Sequence, residues 1–476
     1  MKLSRILPAL LLGLLLSDEA LSAYVSPYAI VTKSSPRARK PSAKKIAKLQ
    51  LRNPNAAARL RRTTAQSIAD DTRNRGVVNL GPVEARAGVG FDVGYNSNLY
   101  LTKQATGSMQ TFIKPALQLA LRTNNERNVY NLGVAAVQNI YESSSINDYL
   151  DRYITANTHT DLGMRHQLDW NSNLTWSHFM RGELLSQTGS ATQVYDPNTL
   201  VFSFEAPVQY ESKNTDLKYT YGSNTAKGNL EFRAGYLSYR YTNYADYYER
   251  LNYDAINAGT TFYYRVSPKT QLLAEFSNVY YDYVNENDGS ATDGSQCLNG
   301  STEGVCSSLD NNFRTYYVGA TWKALSKTTG TAKVGWMEKE FSSAGETGAS
   351  GLSWQLGLTW EPLTYSTFML GTGKTLQPTI STANALLEVT STSASWSHDW
   401  TRKVSTTLGV MASDQVYVGG SSFSYKTRGV NASADYALKH WLKTGVSAGY
   451  TDRSSTSEFY TGSGYQMMFH IQMTPP

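Results

Sequence analysis

Cysteine is nearly absent: there are two in 476 residues, Cys297 and Cys306, inside the Gly/Ser/Asn-rich segment CLNGSTEGVC. Two thiols with no histidine nearby are too few ligands for a structural metal site. In an oxidising compartment the pair is expected to close its loop as a disulfide. Histidine is scarce as well. His159, His166, His178, His398, His440 and His470 are scattered and form no HExxH-like pair, which removes that hydrolase signature. Gly371-Thr372-Gly373-Lys374-Thr375 has the tail of a phosphate-binding loop, but Phe368 stands where its first glycine belongs and no βαβ unit surrounds it. The expectation is a protein with no metal, no cofactor and no enzymatic activity. A dyad assembled from distant strands stays open as an alternative, with no residue pointing to it.

Long hydrophobic runs are missing too. The longest is Ile6 to Leu16, eleven residues behind the basic opening Met1 to Arg5 and ahead of the small residues of Ser17 to Ala23. This is the layout of a secretory signal peptide, residues 1–23, with cleavage expected after Ser22 or Ala23. Eleven residues are too few to span a bilayer as a helix, no later window reaches eighteen, and the mean hydropathy is −0.40. Taken alone, these facts favour a soluble secreted protein. A transmembrane β-barrel escapes the test, because its lipid-facing and lumen-facing residues alternate and cancel in any window.

Alternation is what the sequence does contain. From Val83 to Tyr95 every odd position is apolar or aromatic, whereas the even positions are Glu84, Arg86, Gly88, Gly90, Asp92 and Gly94. A strict period of two describes a strand with one apolar and one polar face. Thirteen residues exceed the usual length in soluble sheets. Similar stretches recur, among them Gln110 to Arg122, Asn128 to Tyr141, Leu251 to Val266, Leu387 to Trp400 and Glu458 to Met473. The count is eighteen, with sixteen as the alternative because residues 152–164 and 229–241 are irregular. Every even-to-odd connection is short and most odd-to-even connections are longer, the asymmetry of a bacterial outer-membrane barrel. An even count places both termini in the periplasm. The fold expected is all-β, a transmembrane antiparallel barrel over residues 81–476 in contact with outer-membrane lipid.

Composition agrees. Tyr 33, Trp 9 and Phe 14 make 12% aromatic residues, as girdles at two membrane interfaces would require. The spacing of Trp170 and Trp176, Trp354 and Trp360, and Trp396 and Trp400 suits rings near interfaces. A soluble sandwich of this length would need eighteen long strands in one domain, which is rare.

Charge is uneven. Between Tyr24 and Leu80 thirteen Lys and Arg face Asp70 and Asp71, a formal +11, so with a neutral leader and a total of +6 the remainder carries −5. The basic segment has Pro36, Pro41 and Pro54 and no aromatic after Tyr28. It reads as a disordered periplasmic tether, with electrostatic contact to an acidic polymer or a periplasmic protein as the sharper alternative. Nucleic acid is not an expected partner of a secreted precursor.

The polar face of the first two strands supplies the lumen-facing candidates Glu84, Arg86, Asp92, Lys114, Gln118 and Arg122. Their alternative role is ion pairing that keeps a polar barrel interior satisfied. Loops at Leu184 to Val201 and Asn285 to Leu309 are long enough to fold into a lumen.

The segment Gly90 to Thr102, GFDVGYNSNLYLT, resembles the opening of the β-barrel porins (type 2) often encoded beside exopolysaccharide and capsule synthesis genes. Their first strand ends in Tyr-x-x-Asn-apolar-Tyr, matched by Tyr95, Asn98, Leu99 and Tyr100. The chain departs from many outer-membrane proteins by ending Met473-Thr474-Pro475-Pro476 rather than in Phe, which moves the expected assembly signal to Tyr465 to Met473. The resemblance implies passage of a secreted polysaccharide across the outer membrane. Two other readings stand beside it: a diffusion porin for small polar solutes, and a non-conducting barrel that binds a cell-wall polymer.

Overall fold

The computed structural model describes residues 77–80, 83–122, 128–179, 181, 194–196, 201–203, 206–223, 225–248, 251–284, 309–324, 327–342, 348–378, 386–418, 424–456 and 460–474. The proposed leader, most of the basic segment, and Cys297 and Cys306 lie outside the described residues, as do most residues of the two long loops named above.

In chain order the strands are β1 (Val77–Leu80), β2 (Val83–Asn96), β3 (Ser108–Arg122), β4 (Asn128–Tyr141), β5 (Tyr149–Asp161), β6 (His166–His178), β7 (Val194–Asp196) and β8 (Val201–Ser203). There follow β9 (Gln209–Tyr221), β10 (Gly228–Tyr241), β11 (Tyr253–Ser267), β12 (Thr270–Tyr283), β13 (Asn311–Ala324) and β14 (Thr328–Phe341). The last are β15 (Ala349–Leu363), β16 (Ser366–Pro378), β17 (Leu386–Asp399), β18 (Val404–Val418), β19 (Ser424–Lys439), β20 (Leu442–Ser455) and β21 (Gly462–Met473). β7 and β8 pair only with each other, in the connection from β6 to β9. β1 is a short extra ribbon. The remaining eighteen strands each pair antiparallel with their sequence neighbours, and β2 pairs with β21 to close the ring. The stretches at 152–164 and 229–241 hold regular strands with continuous registers, β5 as far as Asp161 and β10 to Tyr241, which settles the count at eighteen.

The seam is stepped. β21 pairs with β2 only from Val89 to Asn96, because it ends at Met473 opposite Val89. Below that point β1 folds back on β2, Val77 opposite Arg86 and Leu80 opposite Val83. Unpaired backbone groups at this height would cost free energy in an apolar surrounding, and β1 supplies the partners. The sheet thus begins a few residues earlier than the alternation alone marks.

The two faces separate by parity. Phe91 is 37% exposed and Asp92 is 7% exposed; on β3, Met109, Ile113, Leu117 and Leu121 are exposed and Gln110, Lys114 and Gln118 buried. A soluble protein would invert this arrangement. Here the apolar face is outside and the polar face inside, as lipid demands.

The outer face is banded along the strand axis. Near the short-turn end Trp360, Phe368 and Trp396 form a stacked row with centroids 5.1 and 5.9 Å apart, and Trp400 meets Trp396 edge-on at 6.4 Å. Trp360 lies opposite Thr328 at one end of β14, and Trp336 on the same strand lies beside Tyr316. That separation corresponds to an apolar band of about 25 Å along the strand. Beyond it, towards the long loops, the outer face becomes charged: Arg240–Asp254 at 2.7 Å, Arg314–Glu340 at 2.9 Å, Lys374–Glu388 at 2.7 Å and Arg428–Asp414 at 2.6 Å. Strands therefore continue past the lipid band on the long-loop side.

Candidate functional site

The chemistry of the barrel lies on its inner face, which has two zones. Towards the short turns and through the middle it is polar, with charges in pairs. Lys114 on β3 forms a buried ion pair with Asp92 on β2, and Glu84 accepts from the Arg86 guanidinium at 3.2 Å. Gln118 is buried opposite Arg86. Arg122 is the last residue of β3, and its side chain lies outside the described residues. Alternation thus places Asp92, Lys114 and Gln118 together on the buried face, opposite Phe91 and Ile113.

Parity on later strands reveals further inner-face residues that reading the first two strands did not. Asp169 on β6 bonds His159 at 2.6 Å and lies 3.7 Å from Lys218. Glu275 on β12 and Lys333 on β14 meet at 2.6 Å across β13, whose Tyr317 ring lies beneath the lysine. Asp435 on β19 bonds His470 on β21 at 2.7 Å and lies 3.5 Å from Lys443. Each acid has its cation on another strand, so the charge is fixed in place across the sheet. Among the described residues no group of three or more His, Cys, Asp or Glu is placed to hold a metal ion.

At the long-loop end the inner face turns aromatic. Tyr210, Tyr239 and Tyr253 stack in sequence on β9, β10 and β11, with centroids 5.0 and 5.5 Å apart. Tyr239 and Tyr253 belong to a buried cluster with Phe179, Leu237, Tyr248, Val279, Tyr281, Tyr283, Phe313 and Met337, and the half-buried Tyr210 packs against it. Tyr248 comes from a one-turn helix, Ala245–Tyr248, in the β10–β11 loop, and stacks on Tyr241 at 4.7 Å. Burial pushes the Tyr248 phenol well above its ordinary pKa, and the neighbouring phenols of Tyr241, Tyr460 and Tyr244 push it further. Tyr460 belongs to the β20–β21 loop, where it packs with Leu387, Val389, Tyr417 and Tyr425. Tyr248 and Tyr460 thus each bring a loop ring into a buried aromatic cluster at the long-loop end.

The motif residues serve this same end. Tyr95 faces outward, 6.2 Å from the Tyr465 ring. Asn98 is buried and bonds the carbonyls of Thr102 at 2.7 Å and Ser463 at 2.9 Å. Leu99 is buried with Phe112, Val137, Tyr141, Tyr149 and Met468. The Tyr100 hydroxyl accepts from Asn147, whose side-chain oxygen accepts from Arg181 at 2.6 Å, and the Arg181 guanidinium lies over the Tyr100 ring. Three loops are joined through that node. The sequence signal for it was the motif itself; its partners lie too far along the chain to be read.

No curated protein matches the chain. Among solved structures it is similar to the siderophore receptor PirA from Acinetobacter baumannii, at 8% identity over 82% of this chain and 80% of that one, with a TM-score of 0.43. It is also similar to the FrpB iron transporter (F5-1 variant) from Neisseria meningitidis, at 14% identity over 84% and 67% with a TM-score of 0.44. The outer membrane protein opdK from Pseudomonas aeruginosa matches at 10% identity over 82% and 98%, with a TM-score of 0.40. The family model described as "Putative beta-barrel porin 2" matches residues 80–470, nearly the whole ring from β2 to β21, and the chain belongs to that family.

Proposed function

We propose that this outer-membrane barrel is a non-enzymatic channel that passes a secreted polysaccharide. The observation that supports the reading is the zoning of the inner face: stacked tyrosines at the long-loop mouth lead into a wall of paired charges, amides and hydroxyls. Sugar rings offer C–H faces to aromatic rings and hydroxyls to polar side chains, so such a solute meets suitable partners in both zones. In this reading the long loops face outward. The short turns, both termini and the basic segment 24–76 face the periplasm, after removal of residues 1–23 as a leader.

A diffusion porin for small polar solutes is the second reading. It is favoured by the cross-strand pairing of Asp92 with Lys114 and Glu275 with Lys333, which leaves a charge-balanced wall with little selectivity of its own.

Single-channel conductance of the refolded chain in a planar bilayer separates the two. Block by added exopolysaccharide supports passage of the polymer. A large steady conductance that the polymer does not touch supports the diffusion porin and defeats the first reading. Absence of conductance, with or without residues 24–76, defeats both and leaves a barrel that only binds.

A further inference from the structure

Buried cations of this barrel have acceptors, with one exception among the described residues. Lys114 pairs with Asp92 and Lys333 with Glu275. Arg181 donates to Asn147 at 2.6 Å, and Arg453 donates to the carbonyls of Tyr460 at 2.6 Å and Leu101 at 3.1 Å. Lys339, on the inner face of β14 and 3% exposed, has no carboxylate within ion-pair distance and makes no hydrogen bond among the described residues. Its ammonium is bracketed by two aromatic faces, Tyr281 at 5.5 Å and Phe341 at 5.2 Å.

An unused acceptor lies beside this unused donor. Asn311 on β13 stands directly opposite Tyr281 on one side and Phe341 on the other. It is fully buried, and its amide nitrogen donates to the Leu309 carbonyl at 2.7 Å. Its side-chain oxygen accepts no hydrogen bond among the described residues. Lys339 pairs in register with Phe313, two residues from Asn311, so the lysine and the amide share one patch at the long-loop end of the lumen. Burial with no anion at hand pushes the pKa of the Lys339 amine down to about 7, so its charge is held at a cost, and the buried amide oxygen without a donor costs free energy as well. One ligand group can relieve both costs if it brings an anion and a hydroxyl together.

We propose that Lys339, Asn311 and the rings of Tyr281 and Phe341 form a subsite for a carboxylated sugar residue of a passing acidic saccharide. The carboxylate takes the Lys339 ammonium, an adjacent sugar hydroxyl donates to the Asn311 oxygen, and the C–H face of the sugar lies against Phe341. A charge-assisted pair is far stronger away from bulk water, and Lys339 is almost wholly buried, so this patch singles out acidic from neutral saccharides. The inference rests on the polysaccharide reading above.

The test uses the full chain in planar bilayers with two probes, tetragalacturonate and neutral maltotetraose, applied from the long-loop side. In the unaltered protein tetragalacturonate blocks the current at low concentration. In Lys339→Met the concentration needed rises at least about tenfold, Lys339→Arg retains block, and maltotetraose acts alike on all three. Asn311→Asp supplies an internal anion to the lysine and also raises the tetragalacturonate concentration, which covers the case in which Lys339→Met fails to fold. Equal block of the unaltered protein and both charge variants by tetragalacturonate overturns the subsite and leaves polysaccharide passage standing. A steady current that neither probe touches in the unaltered protein overturns the passage reading, and the subsite with it.

Discussion

The Asn98 side chain, in the first long loop, donates to the backbone carbonyl of Ser463 on the last strand at 2.9 Å. These residues are 365 positions apart, and the bond crosses the seam where the ring closes. It is one of a group. Ser97 donates its backbone N–H to the Tyr465 carbonyl at 2.9 Å, Tyr465 donates back to the Ser97 hydroxyl at 2.8 Å, and Arg453 reaches the Leu101 carbonyl at 3.1 Å. Gly462 permits the approach, since a Cβ there would stand 2.5 Å from the Leu101 oxygen. The Tyr-x-x-Asn-apolar-Tyr segment therefore acts as a clasp on the barrel seam and a support of the mouth.

Asn98→Leu should loosen that clasp. It removes the two hydrogen bonds that the amide donates and the one it accepts from the Thr102 N–H, and leaves two carbonyls without their donor, a loss of about 1–3 kcal/mol. The refolded variant should unfold at lower urea in tryptophan fluorescence and lose its heat-resistant gel mobility at a lower temperature. Tyr100→Phe, which removes one hydroxyl acceptor, should shift both by less. Unchanged midpoints for Asn98→Leu would show that the seam is held by the strands alone.

The Asp92–Lys114 pair is buried on both sides, and removing one member strands the other's charge. Asp92→Asn or Lys114→Met alone should destabilise the barrel by roughly 3–5 kcal/mol, whereas the double change should recover most of the loss. Urea midpoints of the three variants form the cycle. A double variant no better than the worse single one would mean that neighbouring side chains, not the pair, carry the effect.

The strands were legible because lipid enforces parity. A residue on the wrong face of β2 or β3 meets hydrocarbon instead of the lumen, so Phe91 and Ile113 alternate with Asp92 and Lys114, and Phe112 is the one large apolar residue that breaks the pattern on the inner face. The same constraint carried the count to eighteen, even through β5, whose outer Thr158 and Thr160 blurred the pattern. Three features were not legible. β1 is four residues, VVNL, too short to show a period, and its role depends on where β21 stops. β15 runs on to Leu363 through a register shift after Trp360, which no alternation predicts. The partners of the inner wall depend on stagger between strands, so Glu275 could be assigned a face from the sequence but not Lys333 as its mate. The same holds for Asn98: its motif was visible, but its clasp to Ser463 was not.

Cys297 and Cys306 should form a disulfide in protein recovered from an oxidising periplasm. With eight residues between them, the closed loop is short and the constraint on the unfolded chain is about 2–3 kcal/mol. Mass spectrometry of a protease digest, with and without reductant, should show one linked peptide pair that separates on reduction. Both thiols alkylated without reductant would dismiss the bond. Cys297→Ser/Cys306→Ser should leave the strand pairing intact, because in sequence the two residues fall after β12 ends at Tyr283 and before β13 begins at Asn311.

Tyr248 is the position from which the width of the mouth can be tested. It is among the largest fully buried side chains, it sits on a single helical turn rather than on a strand, and its ring stacks on Tyr241 at 4.7 Å. If side chains meeting here restrict the current, Tyr248→Ala opens the path where it is narrowest, and single-channel conductance should rise, by about twofold or more for loss of a whole ring. The cost to folding should be modest relative to a strand residue, because the loop can settle into the space left. Tyr248→Phe keeps the ring and should keep the conductance. An increase in the alanine variant with no change in the phenylalanine variant assigns the constriction to ring volume. Equal conductance in all three places the narrowest point deeper, among the paired charges of the middle wall, and Glu275 and Lys333 become the next residues to vary.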